Sequence, residues 1–246
     1  MAIDTLSFIN GLFSLMFVII NTIIGLRIAY THHKVKRPIF LYMGFAWVGM
    51  GAPWWSSSVS FLFAVFTGSG LTFVVYVLIF LSFSPFIMIF FALALCELKY
   101  PDRKKIALII FGILGIFIEI YLFYTIFLGN PADIGTLHGI VDVEYKGLIR
   151  YWLIFDVIIV LIIGMLIAHD SLVSDNPEIK LKGRFLLIAF ILWGIGAILD
   201  GFLQVTVPVL IFTRILLITS AIMFYFGFIP PDFIKHLFLK HPENST

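Results

Sequence analysis

Long, near-continuous apolar runs separated by short polar loops dominate the chain. A helix needs roughly 20 apolar residues to cross a bilayer. On that rule the pattern predicts seven transmembrane spans, at about 6–30, 38–58, 71–96, 106–127, 148–168, 185–204 and 209–228. The runs lack the apolar–polar alternation of barrel strands, which excludes a β-barrel. The expected fold class is therefore all-α, a polytopic membrane protein. Residues 1–230 form one seven-helix domain, and 231–246 form an amphipathic tail. In that tail Phe233, Ile234, Leu237 and Phe238 fall at helical spacing around Lys235 and His236, as suits a short helix lying on the inner membrane surface. Pro53 is expected to kink or end the second span, and Pro85 lies inside the third.

Composition supports the class. The 246 residues are 61% hydrophobic and 12% charged, about half the charged share of a soluble domain. The single cysteine, Cys96, excludes an intrachain disulfide. The start has no basic segment and no small-residue cleavage site, so the first apolar run is expected to be retained as a span. Nothing in the chain suggests nucleic-acid binding; the lipid bilayer is the expected partner.

Charge placement predicts orientation, because short cytoplasmic loops collect Lys and Arg. Lys34, Lys36 and Arg37 follow span one, and Lys99, Arg103, Lys104 and Lys105 follow span three. Lys180, Lys182 and Arg184 precede span six, and Lys235 and Lys240 follow span seven. The other side has only Lys146 and Arg150, offset by acids. The N-terminus is therefore expected outside and the C-terminus in the cytoplasm, in a multi-pass protein of the cell membrane. Trp54, Trp55, Tyr151 and Trp152 fall where an outer aromatic belt would lie.

Spans one to three also resemble spans five to seven. Gly25-Leu-Arg-Ile-Ala-Tyr30 parallels Gly164-Met-Leu-Ile-Ala-His169, and Trp47-Val-Gly-Met-Gly-Ala52 parallels Trp193-Gly-Ile-Gly-Ala197. Two origins fit these matches: a parallel duplication in a three-one-three layout, or the similarity that apolar segments with basic inner loops share by chance.

Four ionisable residues lie inside spans: Glu119, Asp156, Asp200 and Arg214. Charge in hydrocarbon is costly, so such residues pair and mark function. At about 1.5 Å per residue, all four fall in the outer half of the bilayer. Asp200 shares a stripe of span six with Trp193, Gly196, Ala197 and Gln204, and Glu119 shares one of span four with Gly112 and Gly115. Small residues mark packed faces, so both acids are expected to point into the bundle. Spans six and seven are joined by a short hinge, which makes Asp200 and Arg214 the expected ion pair. Asn21 is expected to bond across to another helix. The expected site is an outward polar pocket lined by Glu119, Asp156, Asp200, Arg214, Trp193, Gln204, Tyr121, Tyr124 and Tyr76. Three acids against one base suit sensing pH, carrying a proton or binding a small cationic ligand. The bland alternative is that the pair merely locks two helices. There is no paired-histidine haem site, phosphate loop or Gly-x-Ser-x-Gly, so neither a cofactor nor a catalytic role is expected. Ser82 and Ser84 beside Pro85 lack a nearby base in the sequence and suggest helix-kink chemistry.

The seven spans, outside N-terminus and three-one-three layout resemble the microbial rhodopsins and the small sugar transporters of the SWEET type. The exit Phe226-Gly-Phe-Ile-Pro-Pro231 resembles seven-helix sensor modules that precede histidine kinases. Rhodopsins attach retinal to a lysine in the middle of the last span. Ile218-Thr-Ser-Ala221 occupies that place here, and the span has no lysine, which excludes a retinal Schiff base. The resemblance implies a receptor or sensor that signals through a separate cytoplasmic partner. A small-solute or proton-coupled transporter is the alternative.

Overall fold

The computed structural model describes residues 3–202 and 206–239. Ten α-helices appear among them: α1 (Thr5–Val35), α2 (Pro38–Met50), α3 (Ala52–Thr67), α4 (Phe73–Leu81), α5 (Ser84–Lys99), α6 (Lys104–Phe127), α7 (Gly147–Leu172), α8 (Pro177–Phe202), α9 (Val207–Phe228) and α10 (Asp232–Phe238). A hairpin of β1 (Gly135–His138) and β2 (Asp142–Tyr145) interrupts them. Six segments are long and apolar enough to cross a membrane: Thr5–Val35, Phe73–Lys99, Pro101–Phe127, Gly147–Leu172, Pro177–Gly201 and Val207–Phe228. The chain is thus helical and compatible with a multi-pass membrane protein.

The remaining apolar segment is split. α2 ends at Met50 and α3 begins at Ala52, with Gly51 between them. Pro53 therefore sits in the first turn of α3, where its missing N–H costs nothing. The helix runs on to Thr67, nine residues past the expected end near Ser58. The third segment breaks in the same way. Ser82 and Phe83 separate α4 from α5, and Pro85 stands in the first turn of α5. Both breaks follow from proline's inability to donate to the preceding turn.

Two predicted loops are corrected to helix. The basic stretch after span one stays helical through Val35 and closes on Lys36, whose left-handed backbone (φ 58°) lets its N–H reach the His32 carbonyl. α8 starts at Pro177 rather than Phe185, so Lys180, Lys182 and Arg184 lie on its first turns. Asn176 caps that start: its Oδ1 accepts from the Glu178 and Ile179 amides. Glu178 in turn pairs with Lys182 and Lys235, which ties α10 to the same end. In α10 Ile234 is buried, while Phe233, Leu237 and Phe238 are exposed. Lys240 lies outside the described residues.

The helices pack in a closed order. α1 packs on α2, α3 and α9; α2 on α5; α5 on α7; α7 on α8; and α8 on α9. α6 packs on α5, and most of the rest of its surface is uncovered. Close approach of α1 and α2 depends on glycine, since a Cβ on Gly25 would lie 2.7 Å from the Gly44 carbonyl oxygen. In the centre Trp47 stacks on Phe224, with ring centroids 3.5 Å apart, and Phe190 meets both rings edge-on. Asn21 crosses from α1 to donate from Nδ2 to the Trp47 carbonyl at 2.8 Å.

The segment between α6 and α7 departs from the predicted loop by forming a hairpin. Gly135 to His138 pair with Tyr145 to Asp142, and Gly139 opens the three-residue turn with a positive φ (62°), which glycine adopts without strain. The Lys146 amide donates to the Ile134 carbonyl and closes the base. The turn is pressed into one end of the bundle. The Val141 carbonyl accepts from Ser57 Oγ at 2.7 Å and from Tyr76 Oη at 2.8 Å. The Ile140 carbonyl accepts from Ser60 Oγ. Gly70 makes room, since a Cβ there would lie 2.7 Å from Ile140.

Candidate functional site

The densest polar network lies at the hairpin end of the bundle and centres on Arg214. This residue is 2% exposed, deep enough that an unpaired guanidinium would be prohibitive. Its Nη1 donates to Asp200 Oδ1 at 2.6 Å and its Nη2 to Asn10 Oδ1 at 2.9 Å. Thr213 Oγ1 also reaches Asp200 Oδ1, at 3.3 Å. Trp54 Nε1 donates to the other oxygen, Oδ2, at 3.0 Å. The Arg214 guanidinium lies 5.6 Å from the Trp54 ring centroid, within cation–π range. Asn10 Oδ1 takes a second donor, Ser14 Oγ, at 3.2 Å. One acid and one base thus tie together α1, α3, α8 and α9. The helical register explains the placement: Ser7, Asn10, Ser14 and Asn21 recur at three-, four- and seven-residue steps along the buried face of α1.

Beside this network is a cavity of about 210 Å³ between the head of α1 and the hairpin. Asp4, Ser7 and Asn10 line one wall, and His138, Gly139 and Asp142 the other. Asp4 caps α1 by accepting from the Ser7 amide at 2.9 Å, and hydrogen bonds from Ser7 hold its carboxyl below the usual range. Burial, and then the charge of Asp200, push the Asp142 carboxyl up, partly offset by His138 and Arg214. Burial likewise pushes the Tyr145 hydroxyl up.

The other predicted site residues are distributed more widely than one pocket requires. Asp156 on α7 belongs to a second cluster: its Oδ2 accepts from Ser84 Oγ at 2.7 Å, and Ser84 accepts from Trp152 Nε1 at 2.5 Å. Ser84, expected only to serve the kink, is therefore a bridge between α5 and α7. Asp156 Oδ1 is buried without a hydrogen-bond partner among the described residues. Glu119 on α6 is half-buried, and its Oε1 is likewise unpartnered. Among the described residues no hydrogen bond or ion pair joins Glu119 or Asp156 to Asp200 or Arg214. Tyr76 is buried and holds the hairpin turn through Val141 and Ser57. Trp193 is buried in the core, with its Nε1 unpartnered among the described residues. Tyr121 is half-buried and packs against that core, whereas Tyr124 is 59% exposed on the uncovered face of α6. Gln204 lies outside the described residues. Trp54 and Trp152, expected in an interfacial belt, are buried hydrogen-bond donors instead.

Sequence reasoning missed Asn10, Trp54, Thr213 and the serines of α3. The α1 stripe was a usable signal for Asn10. The run Ser56-Ser57-Ser58, with Ser60, was one for the hairpin seat, because four hydroxyls within an apolar helix need partners. No protein-family model matches the chain, and no curated protein and no solved structure matches it.

Proposed function

We propose that this chain is a seven-span receptor or sensor of the cell membrane. Its N-terminus and hairpin lie outside, and its basic loops and α10 lie in the cytoplasm. α2 and α3 together supply the seventh crossing, since their joint range of 38–67 exceeds the length a span needs. The orientation rests on the distribution of Lys and Arg. The outer cavity takes a small polar or cationic ligand, and a cytoplasmic partner reads the inner end. One observation carries this proposal: the Arg214–Asp200 pair, its arginine buried, adjoins an open cavity lined in part by polar side chains and joins helices from both halves of the chain through Asn10 and Trp54. A ligand that alters this junction would bias how four helices pack.

A transporter is the second proposal, and the paired helix breaks at Gly51 and at Ser82–Phe83 favour it. Discontinuous helices beside a buried acid, here Asp156 on Ser84, are the usual setting of coupled-ion sites. The exchange of packing partners adds support. α1 with α9 corresponds to α7 with α5 when spans one to three are exchanged for five to seven, as a duplication would require. Reconstitution in proteoliposomes separates the two. A receptor gives no solute accumulation under a pH gradient. It shows ligand-dependent labelling of a cysteine placed at Lys235 in a Cys96→Ala background. Accumulation driven by the gradient would sink the receptor proposal.

A further inference from the structure

We propose that the cavity between the head of α1 and the hairpin binds a small primary ammonium compound that also carries a hydrogen-bond-accepting oxygen. This rests on the outer-pocket proposal above and names its ligand class. The walls carry two carboxylates, Asp4 on one side and Asp142 on the other, and no Lys or Arg lines the space. The nearest strong cation, Arg214, is already engaged by Asp200 and Asn10. Among the described residues no salt bridge satisfies Asp4 or Asp142. Asp142 is disfavoured as an anion by burial and by Asp200, so a bound cation would supply the charge its surroundings lack.

Asn10 sets the second requirement. It is 5% exposed and lines the cavity floor. Two donors, Arg214 Nη2 and Ser14 Oγ, fix its Oδ1, which fixes the amide orientation. Its Nδ2 forms no hydrogen bond among the described residues, and the residue lines the cavity. An amide N–H₂ there calls for an oxygen on the ligand. The lining has no Phe, Tyr or Trp ring of the kind that cages a quaternary ammonium, which favours a cation whose N–H groups reach carboxylates. The volume equals about seven liquid-water volumes, well below a drug-sized pocket, so the ligand is a small molecule on the scale of ethanolamine.

The test uses the full chain in lipid nanodiscs, with ethanolamine as probe and choline and ethylene glycol as comparisons in calorimetric titration. Saturable ethanolamine binding is expected, with both comparisons at least about tenfold weaker. Asp142→Asn and Asp4→Asn should each weaken ethanolamine by about tenfold or more. Asp4 is exposed, so its variant remains informative if Asp142→Asn fails to fold. Choline binding as tightly as ethanolamine, or both variants binding like the parent chain, overturns the proposal. Labelling of His138→Cys in a Cys96→Ala background by an impermeant thiol reagent separates the two levels. If no amine binds yet His138→Cys is labelled from outside intact cells, the ligand class is wrong and the outer pocket stands. If it is labelled only after the membrane is opened, the outer pocket falls as well.

Discussion

Trp54 Nε1 donates to Asp200 Oδ2 at 3.0 Å, a bond between residues 146 positions apart. It brings α3 to α8 at the same carboxylate that Arg214 holds from α9. Trp54 also meets Phe17 of α1 edge-on, with centroids 5.0 Å apart. Trp54→Phe removes the N–H and keeps most of the packing. It should lower stability by about 1.5–3 kcal/mol, the range for a hydrogen bond to a charged group. Trp54→Ala adds a cavity and should cost on the order of 3–5 kcal/mol. Thermal unfolding of both variants in one detergent checks the difference.

The Asp200–Arg214 pair should be strongly coupled. Asp200→Ala leaves a buried guanidinium with Asn10 and a longer contact to Thr213 Oγ1 as its hydrogen-bond partners and should cost about 3–5 kcal/mol. Arg214→Met leaves a carboxylate that keeps donors from Trp54 and Thr213, and it should cost less. The double variant should be milder than the sum of the singles. A double-mutant cycle on unfolding free energies measures this. Additive singles would mean that the two side chains share no interaction worth naming.

Ser84→Ala should be more damaging than a serine substitution normally is. One hydroxyl serves Asp156 and Trp152 together, so its loss leaves a buried acid and a buried indole N–H unpartnered. A cost of about 1–3 kcal/mol per stranded group is expected. Ser84→Thr, which keeps the hydroxyl, should recover most of it. Unfolding midpoints of the two variants decide.

These cases show how far the sequence was legible. The apolar run lengths gave the helical class, and the charge in spans six and seven gave Asp200 and Arg214, because both signals are local. Pro53 and Pro85 marked the breaks to within a few residues for the same reason. The bond from Trp54 to Asp200, and the one from Trp152 to Ser84, depend on which helix faces which, and that is a property of packing. Tryptophan at a span's end fits an interfacial belt as well as a buried donor, so residue type alone could not separate the two. The hairpin was hidden because its strands are four residues each and gain their stability by docking against Ser57, Ser60 and Tyr76.

Stability should respond to pH in opposite senses at the two acids of the cavity. Burial and Asp200 raise Asp142, while His138 and Arg214 act the other way; the Tyr76 and Tyr145 hydroxyls feel its charge, Asp4 lines the cavity with it, and exposed Glu144 stands two residues along its strand. A raised folded value means that the native state keeps its proton after the unfolded chain has lost it. Stability from Asp142 is thus full below the ordinary aspartate value of 3.8 and is lost as pH rises through the folded value. Asp4 is lowered, so its contribution is present above 3.8 and is lost as pH falls through its folded value. Asp142→Asn should flatten the decline on the alkaline side of 3.8, and Asp4→Asn the decline on the acid side. Unfolding midpoints across that range test both signs. A saturating ammonium ligand should shift the Asp142 transition downward, because it favours the ionised carboxylate.

The hairpin turn has a double hold that makes a distinct prediction. The Val141 carbonyl accepts from Ser57 Oγ and from Tyr76 Oη, and those two hydroxyls also lie 2.7 Å from each other. Ser57→Ala leaves Tyr76 in place, and Tyr76→Phe leaves Ser57, so each single change should cost about 1 kcal/mol. The double change strands a buried carbonyl, and its cost should exceed the sum by a further 1 kcal/mol or so, within the usual penalty of about 1–3 kcal/mol for an unsatisfied buried group. The loss should appear locally before it appears globally, since the hairpin's hydrogen bonds to α3 and α4 are made at its turn. Hydrogen exchange at Leu137 and Val143 should therefore quicken in the double variant while amides in α8 and α9 keep their protection. Uniform loss of protection across the bundle would show instead that the hairpin is part of the cooperative core, and that the cavity beneath it does not open independently.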